Sequence, residues 1–125
     1  MKISRIMELL DADVLMGDEQ LDLDIRTACG SDLMSDVLAF VKDHTVLLTG
    51  LTNPHVVRTA EMLDVGCVVF ARGKRPTQDM LDMARDKGIV MLATKHTLYV
   101  TCGILYKHGL PGTEDEAIAS EKTGG

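Results

Sequence analysis

The stretch Ala71-Arg72-Gly73-Lys74-Arg75-Pro76 gathers three cations within four positions of a chain whose formal net charge is −6. Positive side chains held together where an apolar run ends suit a small anion, because Arg can grip a phosphate or carboxylate through two N–H groups. Lys95 follows a second apolar run, and Ser31, Asp32, Thr52, Asn53 and Thr94 stand at comparable positions in the chain. Ser31, Asp32, Thr52, Asn53, Arg72, Lys74, Arg75, Thr94 and Lys95 therefore form the candidate ligand-binding set. The ordinary alternative is a solvated surface, with Asp32 or Asp79 pairing the cations at about 0–1 kcal/mol per exposed pair.

Nothing in the sequence marks a catalytic centre. Neither G-x-x-x-x-G-K-[ST] nor G-x-G-x-x-G occurs, and no G-x-S-x-G elbow is present. His55 and His96 fall near loop edges without a nucleophile at a recognisable spacing, and His44 and His108 read as turn residues. The carboxylates at Asp11, Asp13, Asp18, Glu19, Asp22 and Asp24 lack the order of a calcium loop. Cys29, Cys67 and Cys102 are odd in number and far apart, so they read as reduced core thiols rather than a disulfide framework. Iron–sulfur handling by the three is the alternative. The expectation is a non-catalytic protein without a metal or cofactor.

The totals narrow the partners. A chain of 125 residues with 46% apolar and 26% charged residues has the balance of one globular domain. Its acidity argues against nucleic acid and anionic membranes, which need a broad positive field. Only Phe40, Phe70, Tyr99 and Tyr106 are aromatic, too few for a base-stacking platform. No apolar run approaches the roughly 20 residues of a membrane span, and the start is too acidic for a secretory signal, so a cytoplasmic location is expected.

The elements that position the candidate set repeat. Thr45–Gly66, Cys67–Gly88 and Ile89–Gly109 are successive blocks of nearly equal length. They open with TVLLTG, CVVFAR and IVMLAT, runs apolar on both faces and rich in β-branched residues, as buried parallel strands require. Each passes through a polar loop into a helical period and closes on a glycine suited to the left-handed residue that ends a helix. Asn53-Pro54 and Thr77 read as helix starts, and Leu98, Cys102, Leu105 and Tyr106 as the apolar stripe of the last helix. In the first half, ISRIMELL predicts a helix, ADVLMG and DIRTACG strands, and SDLMSDVLAFV a helix capped by Ser31 that buries Leu33, Met34, Val37, Leu38 and Val41. The fold class is α/β: a mostly parallel sheet with helices on both faces, built from repeated strand-loop-helix units. Every strand-to-helix loop then lies at the carboxyl edge, where helix N-terminal amides and the cations would meet. Residues 1–110 form the expected domain, and the polar stretch 111–125 a flexible tail.

GSDLMSDVLAF, VLLTG and CVVFARGKRPTQDMLDMARDKGIVMLAT, in that order, resemble the DRTGG domain family over about Ala28 to Leu110. The corresponding loops read Gly50-Leu51-Thr52-Asn53 and Ala71-Arg72-Gly73, so the letters that name the family are not kept there. The resemblance implies an α/β module related in fold to the N-terminal domain of HPr kinase. Such modules accompany CBS domains in regulatory proteins, including some inorganic pyrophosphatases, and contribute to dimer contacts without an established catalytic activity. Short stand-alone versions resemble proteins encoded near iron-only hydrogenases and related redox enzymes. The resulting expectation is a homodimeric regulatory or sensing module that binds a nucleotide or phosphorylated ligand at the carboxyl edge of its sheet. The alternative is a protein-binding accessory factor for a redox or hydrogenase-type complex.

Overall fold

The apolar runs at the heads of the three blocks become β3 (Thr45–Thr49), β4 (Cys67–Phe70) and β5 (Val90–Ala93), and every one of their residues is buried. Burial on both faces is what a continuous apolar run demands, and parallel neighbours supply it. β2 (Thr27–Gly30) pairs in parallel with β3, and β1 (Asp13–Met16) pairs antiparallel with β5. The sheet order is β1-β5-β4-β3-β2, in a computed structural model that describes residues 1–113.

Chain order from β2 to β5 follows sheet order, so right-handed crossovers place the intervening helices on one face. These are α2 (Met34–Phe40), α3 (Pro54–Met62) and α4 (Gln78–Lys87). Met34, Val37, Val56, Val57, Ala60 and Met80 pack there against Leu47, Val68, Phe70 and Met91. The opposite face carries α1 (Ile3–Leu10) and α5 (Leu98–Lys107), whose Ile3, Ile6, Leu10 and Leu105 meet Val46, Leu48, Val69, Val90 and Leu92. The alternation of side chains along each strand divides the two cores. No helix among the described residues is long and apolar enough to cross a membrane.

Several local expectations are corrected. Ser31 does not cap α2, which starts three residues later; its Oγ instead accepts the Leu33 N–H at 3.0 Å. Leu33 is left ahead of the helix and is 58% exposed, and Leu38, beside buried Val37 on α2, also faces outward. Tyr106 leaves the buried stripe of α5 and is 64% exposed. Gly88 and Gly109 have positive φ as expected, but after α3 the left-handed residue is Asp64 (φ 56°) rather than Gly66. Pro111 and Gly112, the first residues of the expected tail, are tied to β2: the Ala28 N–H donates to the Pro111 carbonyl at 2.9 Å, and Gly112 bridges Ala28 in parallel. The rest of that tail, 114–125, lies outside the described residues.

Candidate functional site

The loops after β4 and β5 part company: α4 lies on one face of the sheet and α5 on the other. A crevice opens at the carboxyl ends of two such strands, the place where open α/β sheets receive ligands. Here the cleft is about 450 Å³ and is lined by Gly73 and Arg75 from one loop and Thr94, Lys95 and His96 from the other. The antiparallel edge strand completes it. Because Asp13 pairs with Ala93, the end of α1 and the start of β1 reach the same edge, and Asp11 and Asp13 join the lining. Arg75 Nη2 donates to Asp13 Oδ2 at 2.9 Å, an exposed ion pair.

Backbone bonds stitch the two loops together beneath the side chains. Arg72 (φ 58°) and Gly73 (φ 68°) are successive left-handed residues. They turn the Arg72 N–H to the His96 carbonyl at 2.7 Å and the Gly73 N–H to the Thr94 carbonyl at 2.8 Å. The Lys74 N–H donates to the Ala71 carbonyl at 3.1 Å. Holding Arg72 there costs about 1 kcal/mol, because its Cβ crowds the following carbonyl. Some of the amides expected to be free are engaged. In this loop they bind the fold, and at the helix starts Asn53, Thr77 and Thr97 side chains accept from His55, Met80 and Val100 N–H groups.

The candidate residues divide into two groups. Arg75, Thr94 and Lys95 share the cleft, while Arg72 and Lys74 are exposed beside it and outside its lining. Thr94 is buried, and its hydroxyl donates to the Leu10 carbonyl at 2.8 Å, which fixes the end of α1 at the cleft wall. Ser31, Asp32, Thr52 and Asn53 lie at the ends of β2 and β3, away from this lining. There Asp32 Oδ1 accepts from Thr49 Oγ1 at 2.9 Å and from the Gly50 N–H at 2.7 Å, so a carboxylate of the chain already occupies that strand end. Asn53 Oδ1 accepts the His55 N–H at 2.9 Å.

The three thiols do not gather at one point, although Cys102 is near enough to Cys29 to help raise its pKa. Cys29 packs with the core beneath α2, whereas Cys67 and Cys102 belong to the core of the opposite face. Burial pushes the Cys67 thiol up to about 12 and raises both half-buried thiols as well, so all three favour the protonated form. Among the described residues no group of His, Cys, Asp and Glu could hold a metal ion.

Sequence reasoning missed two features. Asp11 and Asp13 read as loop carboxylates, and only the antiparallel register of β1 brings them to the cleft. The second feature is apolar. β2 ends the sheet, and the flanking helices expose Leu33, Leu38 and Phe40 on α2's side and Tyr99, Val100 and Tyr106 on α5. A groove of about 580 Å³ runs between α5 and β2, lined by Gly30, Leu48, Val100 and Ile104 with Lys107 at hand.

None of the curated proteins compared with the chain matches it. Among solved structures it is similar to the CBS and DRTGG domains of the regulatory region of Clostridium perfringens pyrophosphatase, complexed with the activator diadenosine tetraphosphate. The TM-score is 0.72 at 13% identity, a likeness of fold that covers 83% of this chain and 45% of that one. The chain thus spans less than half of that neighbour's length. The family model for the DRTGG domain matches residues 5–107, the span holding β1 to β5 and the cleft between them, and the chain belongs to the DRTGG domain family.

Proposed function

We propose that the protein is a non-catalytic regulatory module that binds a small anionic ligand, a nucleotide or other phosphorylated metabolite, at the carboxyl edge of its sheet. The observation that carries this reading is the cleft where the loops after β4 and β5 diverge, with Arg75 and Lys95 both in its lining. Arg75 can present two N–H groups to a phosphate, Lys95 adds a point charge, and Arg72 and Lys74 on the rim steer anions toward it. The Asp13 carboxylate already holds Arg75 as an anion would, through an exposed contact weak enough to exchange. Thr94 serves by placing the cleft wall.

Thermal unfolding with a panel of nucleoside mono-, di- and triphosphates, diadenosine tetraphosphate, sugar phosphates and pyrophosphate tests the reading. A ligand of the folded state must raise the melting temperature, and the rise must grow with its concentration, roughly logarithmically above Kd. At least one compound is expected to do so, and the rise is expected to disappear in Arg75→Ala. A flat response to every compound at millimolar excess sinks it.

The second reading, a protein-binding accessory factor for a redox-type complex, is favoured by the apolar residues flanking β2. In the first reading the same surface serves the homodimer, since apolar side chains exposed on the helices flanking β2 are a place for a second copy to pack. Sedimentation of the wild type and of Phe40→Glu separates them. A dimer that dissociates on substitution supports self-association, and a monomer in both cases leaves the surface to another protein.

A further inference from the structure

Anion binding alone leaves Asp11 without a role and makes Asp13 no more than a stand-in for the anion. Asp11 and Asp13 line the same space as Arg75, Lys95 and His96. The backbones of both are held. Asp13 stands opposite Ala93 in the register of β1 and β5. Asp11 ends α1 in the left-handed conformation (φ 48°), with its N–H on the Glu8 carbonyl at 3.2 Å and the next N–H on the Met7 carbonyl at 3.0 Å. Stability does not explain the carboxylates. The Asp13–Arg75 pair is exposed, and Gly or Asn would serve the left-handed position as well.

Arg75 and Lys95 balance Asp11 and Asp13 in formal charge. A compact polyanion would bring its charge to a cleft of no net charge and meet two carboxylates there. A ligand that confines its negative charge to one end, and presents hydrogen-bond donors at the other, matches both halves. Ionised carboxylates are acceptors only, so the complementary groups are hydroxyls. Vicinal hydroxyls on a carboxylate are the way ribose is held in dinucleotide-binding sheets. A volume of about 450 Å³ lies in the range of small-molecule sites.

We propose that the cleft takes a phosphorylated ligand carrying a vicinal diol, a nucleoside phosphate or sugar phosphate. Its phosphate lies on Arg75 and Lys95 and its hydroxyls on Asp11 and Asp13. The proposal rests on the anion-site reading above and specifies its ligand. Binding exchanges one contact for two: the Asp13–Arg75 pair opens, the phosphate takes the guanidinium, and the hydroxyls take the freed carboxylate. Asp11 and Asp13 are then specificity-determining residues that admit diol phosphates and disfavour bare polyphosphate.

Calorimetric titration of the full chain with AMP, 2′,3′-dideoxy-AMP, ribose 5-phosphate and pyrophosphate tests this, alongside Asp11→Asn, Asp13→Asn and Arg75→Ala. AMP or ribose 5-phosphate is expected to bind at least tenfold more tightly than the dideoxy compound and pyrophosphate. In the two Asn variants that preference shrinks and pyrophosphate binding strengthens, while Arg75→Ala loses all ligands. Each variant's melting curve checks that it is folded. Equal binding of AMP and its dideoxy analogue, or tighter binding of pyrophosphate by the wild type, overturns the diol proposal and leaves the anion site standing. Failure of all four ligands to bind overturns the diol proposal, and a flat thermal-shift panel beside it overturns the anion site as well.

Discussion

Cys102 on α5 lies so close to Gly30 on β2 that a Cβ added to the glycine would stand 2.5 Å from its sulfur. The missing side chain lets α5 close over β2, and the same added Cβ would also stand within 4.0 Å of Leu98 Cδ1 and Leu48 Cβ. Gly30→Ala is therefore expected to destabilise the fold by about 1–3 kcal/mol, the usual result of overpacking. Removing the sulfur as well, in Gly30→Ala with Cys102→Ala, should recover part of the loss. Urea unfolding of the two single variants and the double variant checks the coupling, and strictly additive losses would contradict the contact.

Two glycines that look alike in the sequence behave differently. Gly88 ends α4 with φ 69°, whereas Gly66 is absent from the positive-φ residues, and a Cβ there would reach only Leu23 Cδ1 at 4.0 Å. Gly88→Ala should cost about 1 kcal/mol through the left-handed backbone. Gly66→Ala should stay within about 0.5 kcal/mol of the wild type. Equal losses in parallel denaturation curves would show that the closing position of the block, rather than the backbone conformation, matters.

That contrast marks how far the sequence could be read. The buried strands β3 to β5, the capped starts of α3 and α4 and the mostly parallel sheet were legible, because apolar run length, Asn53-Pro54 and Thr77 act through local rules. Gly66 was not, since Asp64 can itself adopt the left-handed state and end α3 two residues early. Nor was the start of α2, where Ser31 makes a short turn with Leu33 in competition with helix capping. Of the candidate site, Arg75 and Lys95 were legible as loop cations. Asp11 and Asp13 were not, because their arrival depends on β1 crossing to β5 in the antiparallel sense, a long-range pairing with no local signal. Thr94 was legible as a loop hydroxyl, but its bond to Leu10 belongs to the same long-range packing.

The buried Cys67 thiol gives a pH dependence of definite sign. Its pKa is raised from 9.0 to about 12 by burial, so above pH 9 the unfolded chain loses a proton that the folded chain keeps. Stability from this group is complete below pH 9 and falls by about 1.4 kcal/mol per pH unit as the pH rises toward 12. Cys67→Ala should flatten the alkaline decline of unfolding free energy relative to the wild type, whatever its effect at neutral pH. Parallel declines in the two proteins would rule out this group as the source.

Thr59 on α3 is 1% exposed, and among the described residues its hydroxyl finds no hydrogen-bond partner. Thr59→Val keeps the shape and removes the unsatisfied group, and should stabilise the protein by about 1 kcal/mol. Urea midpoints measure this directly. A lower midpoint for the variant would mean that the hydroxyl is satisfied in solution.

The crevice between the loops after β4 and β5, with Arg75 and Lys95 in its lining, is proposed above as the anion site. The most direct measurement is the ligand-induced shift in melting temperature of the wild type against Arg75→Ala and Lys95→Ala. Both residues are exposed, so each variant should unfold within about 1 kcal/mol of the wild type without ligand. A concentration-dependent rise is expected in the wild type with a nucleoside or sugar phosphate, reduced in Lys95→Ala and lost in Arg75→Ala. The same rise in all three proteins would contradict it.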